Sequence, residues 1–573
     1  MKSEIKTCQN CKLEFVIEPD DFLFYEKIKV PAPTFCPECR LQRRVSLRNE
    51  RAFYHRNCDL CKEKIISVFN DKNLKVYCQG CWASDQWDSS SYAVDYDFSK
   101  NFFAQYIELF KKIPLINLNG HISNKNSPYV NYITEANNSY YCFGGSYLEN
   151  VMFSNLGVRI KDSMEILFSE DCQFCYEILN CSRCYRLFYG NNSQDCLDSY
   201  FLQDCGNCHD CIMSCNLKNQ YYVFKNEQLS KEEYLIKKEE FLKQLNNDVS
   251  KRKKEFAEHI IAYPKKFANI LRSQSSTGNN ILECADVKSG FNVSKCQNGK
   301  YNQDVVGSAK DVYDVTSIGL NVEMIYESTG MSKNINNILF SSLVRDSSFN
   351  VSYSFHCHGS SNLFGCIGLR KKQYCILNRQ YTKEAYEELI PKIIQHMSDM
   401  PYIDSKGRVY KYGEFFPSEL SPFAYNETIA QEYFPLTKEE AIEQGYKWKD
   451  KEERNYSIDI HTEDLPDSIK EIPDTDILNK VIECNHKGTC NQQCTEAFKI
   501  IPEELSFYRR MNLLLPRLCP NCRHYERLSQ RNPMKLWHRS CMKEGCTNEF
   551  ETSYAPERPE IVYCEKCYQQ EVY

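Results

Sequence analysis

Closely spaced cysteine pairs are the feature of this sequence best suited to chemistry. The chain has 32 cysteines in 573 residues. Most pairs near its two ends are separated by two residues, a spacing that lets two thiolates reach one metal ion. A second, distant pair completes a tetrahedral site, and the chain between the pairs forms a hairpin. The spacing therefore predicts four-thiolate sites of the zinc-ribbon type.

Eight such pairs form two blocks of four, one at each end of the chain. The predicted sites are Cys8, Cys11, Cys36 and Cys39; Cys58, Cys61, Cys78 and Cys81; Cys490, Cys494, Cys519 and Cys522; and Cys541, Cys546, Cys564 and Cys567. In the third site Cys484 is an alternative to Cys490, because the Cys490–Cys494 pair departs from the two-residue spacing. Closed all-cysteine sites leave no position for water, so we expect about four structural Zn²⁺ ions.

The two blocks are copies of one another. Adding 483 to a position between Cys11 and Cys58 reaches its counterpart in the C-terminal block without a gap, as for Phe15 and Phe498. The repeat predicts a duplicated two-zinc module. It also suggests a pseudo-twofold molecule in which the two modules pack together.

Arginines cluster within both zinc modules. Arginine next to aromatic residues on a zinc scaffold suits phosphate binding. The candidate nucleic-acid contacts are Arg40, Arg44, Arg48, Arg56, Arg523, Arg527, Arg531 and Arg539. The alternative is that these arginines pair with carboxylates inside the protein. Residues 399–480 hold 19 Asp and Glu against 10 Lys and Arg, nearly balancing the nine cations and single Glu of residues 509–543.

The middle of the chain is also duplicated. Residues 217–234 match residues 369–386 at an offset of 152, and each copy reads as a strand, a turn and a helix. Ser230 and Thr382 are the expected N-caps of the two helices. The first helix is predicted to run to about His259.

Upstream of each helix, short apolar or cysteine-bearing segments alternate with Asn, Asp, Ser or Gly every 9 to 15 residues or so. Short strands at regular spacing indicate a sandwich, a barrel or a solenoid. We favour a β-solenoid, because the motif Asp/Asn-Cys/Ser-x-x-Cys/Ser-aromatic recurs. The expected fold class is mainly β: a duplicated solenoid-like centre, a zinc-ribbon pair at each end and a few connecting helices.

The cysteines from Cys172 to Cys215 allow three interpretations. They fit the recurring motif as small buried residues. Cys172, Cys175, Cys181 and Cys184 have spacing that would suit a fifth zinc site. Cys205, Cys208, Cys211 and Cys215 follow the spacing of a ferredoxin cluster, but Asn216 replaces the usual proline and no second run exists. We favour core packing.

Six regions follow from these patterns. They are an N-terminal double zinc ribbon (1–90), a connector helix (91–128), two solenoid halves each ending in a helix (129–262 and 263–398), an acidic connector (399–482) and a C-terminal double zinc ribbon (483–573). In the connector, Phe102, Phe103, Tyr106, Ile107 and Phe110 share one helical face, so we expect that helix to dock the first ribbons on the solenoid.

Composition narrows the functional classes. The net charge of −6 is weak for this length, and no apolar run is long enough for a membrane span. The start of the sequence has no secretory apolar region, so we expect a cytoplasmic protein with reduced thiols.

The sequence resembles a group of uncharacterised multi-zinc-ribbon proteins from uncultivated bacteria. The segments that carry the resemblance are 36–44, 48–50, 82–98, 415–423, 518–524 and 563–568. It covers nearly the full chain. The resemblance implies zinc and implies no activity.

The function predicted from the sequence is a non-enzymatic zinc scaffold that binds another macromolecule, with RNA or DNA as one candidate partner. An iron–sulfur redox protein using Cys205–Cys215 is the first alternative. A β-helix protein acting on carbohydrate is the second, although the recurring Asp residues fit turns better than catalysis. No catalytic set of side chains is evident in the sequence.

Overall fold

The computed structural model describes residues 2–121, 123–245, 248–451, 456–466, 469 and 473–572. It is mainly β, with 32% of residues in strands and 24% in helices. No helix within these ranges is long and apolar enough to cross a membrane.

The helices are short and lie mostly between the sheets or at the chain ends. In chain order they are Pro19–Lys27, Pro37–Val45, Gln79–Ala83, Phe102–Lys112, Lys231–Leu245, Val249–Ile261, Lys383–Asp399, Ala430–Tyr433, Lys438–Glu443, Asp474–Ile477, Pro502–Met511, Pro520–Ser529 and Glu565–Val572.

Small hairpins build the two ends of the chain. Their paired strands are Glu4–Thr7 with Glu14–Ile17, Tyr54–Asn57 with Lys64–Ser67, Ile482–Glu483 with Ala497–Phe498, and Trp537–Ser540 with Glu549–Thr552. We call residues 2–90 the N-terminal cysteine module and residues 481–572 the C-terminal cysteine module. In each module a helix follows the first hairpin and a second helix begins with proline directly after a cysteine, at Pro37 and Pro520. Proline suits the first helical position because that residue's N–H has no helical partner.

The first β stack, residues 130–228, is a ten-stranded sheet in which neighbouring strands follow one another in the chain. Its strands are Val130–Asn137, Cys142–Glu149, Asn155–Lys161, Met164–Leu167, Tyr176–Leu179, Tyr185–Asn191, Leu197–Gln203, His209–Cys215, Tyr221–Phe224 and Glu227–Gln228. All pairs are parallel except the last hairpin. Each residue pairs with the residue 12 positions later, as Val130 does with Cys142 and Leu197 with His209.

A three-residue backbone period underlies this stack. Nearly every third residue has a left-handed conformation, as Phe201 (φ 55°) and Asp204 (φ 57°) do. The next residue points into the interior, and Leu202 and Cys205 are buried there. Each 12-residue step thus supplies four interior side chains, which must be small or slender. From residue 193 onward they are Ser193, Cys196, Ser199, Leu202, Cys205, Cys208, Cys211 and Ser214.

The second β stack, residues 270–380, is a 13-stranded sheet built in the same way. Its strands are Ile270–Leu271, Gly278–Leu282, Ala285–Lys288, Gly290–Ser294, Cys296–Lys300, Gln303–Val305, Ala309–Ile318, Val322–Met331, Ile335–Leu339, Phe349–Ser352, Ser361–Phe364, Gln373–Ile376 and Arg379–Gln380. The pairing step is 12 residues where Gly278 pairs with Gly290. It widens to 13 in the middle, where Ala309 pairs with Val322.

Helices close the two stacks. Ser230 accepts a hydrogen bond from the N–H of Glu233 at 3.2 Å, and Thr382 accepts one from Ala385 at 3.2 Å. Both residues therefore act as the N-caps that the sequence indicates. The first closing segment forms two helices, Lys231–Leu245 and Val249–Ile261, because Asp248 caps a new helix; the prediction of one continuous helix to His259 is wrong.

The connector helix Phe102–Lys112 packs on the second β stack. Phe102 lies 5.2 Å from Tyr353 and 5.3 Å from Phe364 between ring centroids. The remaining short strands are Val76–Tyr77 with Leu115–Ile116, Lys265–Lys266 with Val562–Tyr563, and Tyr402–Ile403 with Val409–Tyr410. The pairing of residues 265–266 with 562–563 ties the C-terminal module to the segment between the two stacks.

Candidate metal centres and a central cleft

Four groups of four cysteines converge in the two modules. Within each group all sulfur atoms lie within 4.8 Å of one another. The groups are Cys8, Cys11, Cys36 and Cys39; Cys58, Cys61, Cys78 and Cys81; Cys484, Cys494, Cys519 and Cys522; and Cys541, Cys546, Cys564 and Cys567. Each group could hold one metal ion, so the structure brings together fifteen of the sixteen predicted ligands in the predicted combinations.

The third group contains Cys484 in place of Cys490. Strand Ile482–Glu483 aligns with the end of Glu4–Thr7, so Cys484 follows its strand as Cys8 follows its own. The N–H of Cys519 donates to Cys484 Sγ at 3.2 Å, just as Cys36 donates to Cys8 at 3.2 Å. Cys490 lies outside the closed group because nine residues, rather than two, separate Cys484 from Cys494. The assignment of Cys490 to this set is corrected accordingly.

The distances between sulfur atoms fit metal thiolates. Cys11 Sγ and Cys36 Sγ are 3.7 Å apart, and Cys546 Sγ and Cys564 Sγ are 3.9 Å apart. Two thiolates bound tetrahedrally at about 2.3 Å from one Zn²⁺ lie about 3.8 Å from each other. Burial alone would raise the pKa of Cys58, but N–H donors from Cys78 and Cys61 lower it to about 7. Such donors favour the thiolate, the form that binds metal.

Arginines of the N-terminal module are buried against the second β stack. Arg40 Nη2 lies 2.7 Å from Asp314 Oδ2, and Arg44 Nη1 lies 3.1 Å from Asp314 Oδ1. Arg43 Nη2 lies 2.7 Å from Glu327 Oε2. These side chains are at most 2% exposed. The ion pairs hold the module on a sheet that follows about 270 residues later in the chain.

The C-terminal module forms an equivalent contact with the first β stack. Arg523 Nη1 lies 2.9 Å from Glu165 Oε1 and 3.2 Å from Glu504 Oε1, and Arg527 contacts the other oxygen of Glu165. Arg523 and Arg527 are at most 8% exposed, and Glu165 is 1% exposed. The N-terminal cysteine module therefore packs on the second β stack, and the C-terminal cysteine module packs on the first.

Five of the eight predicted nucleic-acid contacts are therefore enclosed in the protein. Arg40, Arg44, Arg523 and Arg527 belong to these ion pairs, and Arg48 pairs with Glu50. As placed, they cannot reach a nucleic acid, which corrects the expectation that they form a surface. The remaining three predicted contacts are not part of these ion pairs. Arg56 and Arg539 donate to loop carbonyls, and Arg531 lies over the rings of Phe168 and Tyr433.

The two cysteine modules contact each other. Arg51 Nη2 donates to Asn521 Oδ1 at 3.3 Å, and Lys535 Nζ lies 3.2 Å from Glu38 Oε1. Glu432, from the acidic segment, lies between them and accepts from His524 Nε2 at 3.1 Å. The modules and stacks together enclose a central space.

That space is a cleft of about 1910 Å³. Both stacks and both modules line it, through residues such as Arg183, Asn292, Trp82 and Arg531. Thirteen Lys and Arg line the cleft against eight Asp and Glu, although the chain carries a net charge of −6. The lining therefore concentrates positive charge.

One wall of the cleft combines cations with aromatic rings. We call it the cationic–aromatic wall; its members are Trp82, Tyr132, Arg345, His356, His358 and Arg370. Arg370 lies 5.3 Å from the ring centroid of Trp82, and the ring of His356 lies 4.6 Å from it. Burial lowers the pKa of His356 well below its usual range and lowers that of Arg345.

Several nitrogen atoms facing this cleft are buried without a partner among the described residues. They are Arg48 Nη1, Arg345 Nε, His356 Nδ1, His358 Nε2 and Arg531 Nη1. Buried donors without partners are rare in folded proteins and point to a missing water, ion or ligand. Sequence reasoning identified Arg48 and Arg531 but missed the others. His356 and His358 are two residues apart in the sequence, and their ring centroids lie 4.9 Å from each other.

The central cysteines lie inside the β stacks. Cys205 Sγ donates to the carbonyl of Gln203 at 3.3 Å, and Cys211 Sγ donates to that of His209 at 3.4 Å. Ser199 makes the same contact with the carbonyl of Leu197 at 2.7 Å. Cysteine and serine are thus interchangeable interior residues here. Within the described part of the chain, no central cysteine belongs to a group of three or more close donors.

The comparisons with known proteins give little. No family model matches the chain, and no curated protein matches it. Among solved structures, a candidate acetyltransferase from Desulfovibrio desulfuricans G20 matches over 50% of this chain and 85% of its own, with 9% identity and a TM-score of 0.11. A similarity at that level carries no argument about fold or function.

Proposed function

We propose that this protein is a zinc-dependent, non-enzymatic scaffold whose central cleft binds an anionic macromolecule, RNA or DNA. The excess of Lys and Arg in the cleft of an acidic chain is the observation that carries the proposal. A cleft lined by one sign of charge concentrates the field and attracts a polyanion.

The cationic–aromatic wall supports a nucleic acid over other anions. Proteins that bind single strands combine cationic grooves with aromatic rings on which bases stack. Trp82 and Tyr132 would supply the rings, while Arg345 and Arg370 would face the phosphates. The unpartnered nitrogens of Arg345 and Arg531 would donate to phosphate oxygens.

Zinc is the ion that best fits the four cysteine groups. Closed tetrahedral sets of four thiolates are typical of structural Zn²⁺, which needs no redox chemistry and leaves no open position. We infer that these ions fix the hairpins from which the buried arginines project.

We infer that each β stack is half of a β-solenoid. Parallel strands that pair at a constant step, with like residues stacked at the same interior position, support this interpretation. On this view the central cysteines are core residues; among the described residues, no group of three or more close donors in the β stacks supports the iron–sulfur alternative. The cytoplasmic location stays a prediction.

The test is binding of a short, fluorescein-labelled single-stranded RNA, and of DNA of the same sequence, measured by anisotropy at several salt concentrations. We expect affinity to fall steeply with salt. Arg345→Gln should weaken binding about tenfold and reduce the salt slope by about 1. Arg379→Gln is the matched control, because Arg379 forms an exposed pair with Asp95 and does not line the cleft.

Absence of binding to both probes would overturn the proposal. Equal affinities for the Arg345→Gln and Arg379→Gln variants would also overturn it, because the cleft would then not be the binding surface. Hydrogen exchange across strand Phe349–Ser352 checks that Arg345→Gln leaves the second β stack folded.

A further inference from the structure

The third cysteine group differs from its N-terminal copy by an insertion. Two residues separate Cys8 from Cys11, whereas nine separate their counterparts Cys484 and Cys494. The inserted segment contains His486 and Cys490, neither of which the closed four-cysteine group uses. Both residues are common ligands of transition metals.

The insertion brings these donors to the edge of the metal site. His486, Cys490 and Cys522 form a second group whose donor atoms lie within 4.8 Å of one another. Cys522 Sγ is 3.7 Å from Cys490 Sγ. Within the closed group, Cys522 Sγ is 3.9 Å from Cys484 Sγ. Both separations match the value of about 3.8 Å expected for two thiolates on one Zn²⁺.

Two buried polar atoms near these sulfurs have no partner in the described structure. They are Nδ1 of His486 and the hydroxyl oxygen of Tyr525. The N-terminal module has Gln42 at the position of Tyr525, and its amide donates to Tyr425 at 2.9 Å. The orphaned atoms are thus specific to the module that carries the insertion.

We propose that the C-terminal module binds a second metal ion beside the closed site, through His486, Cys490 and Cys522. The thiolate of Cys522 would bridge the two ions. Three protein ligands leave a fourth position open to water or to another ligand. One imidazole and two thiolates suit Zn²⁺, so the chain would hold five zinc ions, four of them in closed sites.

The open position distinguishes this ion from the other four. A chelator can enter its coordination sphere directly, whereas a closed site must first lose a protein thiolate. We therefore expect one zinc per chain to leave before the rest. The N-terminal module lacks both inserted donors and provides the internal comparison.

The experiment is elemental analysis of the full chain, purified without oxygen, saturated with Zn²⁺ and freed of unbound metal. We expect five zinc ions in the wild type and four in Cys490→Ser and in His486→Ala. His538→Ala is the matched control, because the exposed His538 pairs with Glu549 and belongs to none of the donor groups in the described structure; it should retain five.

Release of zinc to a chromogenic chelator gives a second readout. The wild type should release one equivalent at least tenfold faster than the rest, and both variants should lack this phase. Four ions in the wild type with no fast phase would overturn the proposal. Five ions in either variant would also overturn it, because that residue would then not be a ligand. Neither variant replaces a member of the four-cysteine group, so circular dichroism should remain that of the wild type. The outcome is independent of RNA binding.

Discussion

Replacing Asp314 by Asn should loosen the N-terminal module from the second β stack. The carboxylate of Asp314 is fully buried and faces two guanidinium groups, those of Arg40 at 2.7 Å and Arg44 at 3.1 Å. Asparagine keeps the shape of the side chain but removes its charge. Its amide N–H₂ group would face the N–H donors of Arg40 or Arg44, with which it cannot form a hydrogen bond. Arg44 retains Glu327 at 3.4 Å, whereas Arg40 retains the carbonyl of Phe35 and the ring of Tyr301 but no second carboxylate among the described residues.

The magnitude follows from the uncompensated charge. Removing one partner of a buried ion pair costs about 3–5 kcal/mol. Since one of the two arginines keeps a second carboxylate, we expect about 4 kcal/mol for Asp314→Asn. That corresponds to a nearly thousandfold increase, about 10³, in the local opening equilibrium. The effect should change little with salt, because buried pairs are weakly screened.

Hydrogen exchange by mass spectrometry measures this opening for strand Ala309–Ile318. Asp95→Asn is the matched control: Asp95 also joins the N-terminal region to the second β stack, through Arg379 at 2.9 Å, but is 75% exposed. Its loss should cost about 0–1 kcal/mol. Adding Arg40→Met to Asp314→Asn should restore part of the protection, because the unpaired charge is then gone. Equal exchange in the Asp314→Asn and Asp95→Asn variants, or no recovery in the double variant, would refute the reasoning.

Three further outcomes follow from the same structure. Glu165→Gln should speed exchange in strand Met164–Leu167 by a similar mechanism, at a cost of about 3 kcal/mol, while strand Ala309–Ile318 stays protected. Burial raises the pKa of Asp304 to about 6. The folded protein therefore holds this proton more tightly than the unfolded chain, and stability falls as pH rises from about 4 to about 6. Urea unfolding at several pH values should show that this fall in the free energy of unfolding is about 3 kcal/mol smaller in Asp304→Asn than in the wild type. The same pH dependence in both proteins would contradict the assignment. Cys184→Ser should cost less than about 1.5 kcal/mol, since a serine hydroxyl can make the same carbonyl contact, and iron analysis should find none in either protein. A loss of bound iron on substitution would instead support a cluster.

The cysteine groups could be predicted because the spacing that forms them is local. Cys36 and Cys39 lie on the first turn of a helix that starts at Pro37, and that geometry depends on a few neighbouring residues. The duplication then supplied a second copy of the same pattern. Cys484 was predicted only as the alternative to Cys490, because nine residues separate it from Cys494.

The sequence predicts short strands every 9 to 15 residues or so, but not the constant steps of 12 and 13 residues at which they pair. Side chains normally alternate every two residues along a strand. Here a left-handed residue recurs about every third position, so the interior set advances in threes, as in Ser193, Cys196 and Ser199. That run of small residues was visible in the sequence.

The partners of the arginines could not be predicted. Arg40 and Asp314 are 274 residues apart, and no local pattern links them. The charge balance suggested internal pairing, but with the acidic segment. Glu414, which lies 3.0 Å from Arg43, and Glu432, which lies 3.9 Å from Arg51, fit that expectation. The cleft likewise exists only once four separate regions assemble.

Because each cysteine module packs on the β stack farther from it in the sequence, the order of synthesis decides when its arginines find their carboxylate partners. When residues 36–45 leave the ribosome, the carboxylate that neutralises Arg40 lies 274 residues ahead. At about 5–20 residues per second, it arrives about 14 to 55 s later. The C-terminal module has no such delay, because Glu165 is already made when Arg523 emerges. The nascent chain therefore carries three uncovered arginines through about half of its synthesis, a period in which it is exposed to polyanions and proteases that the finished protein excludes.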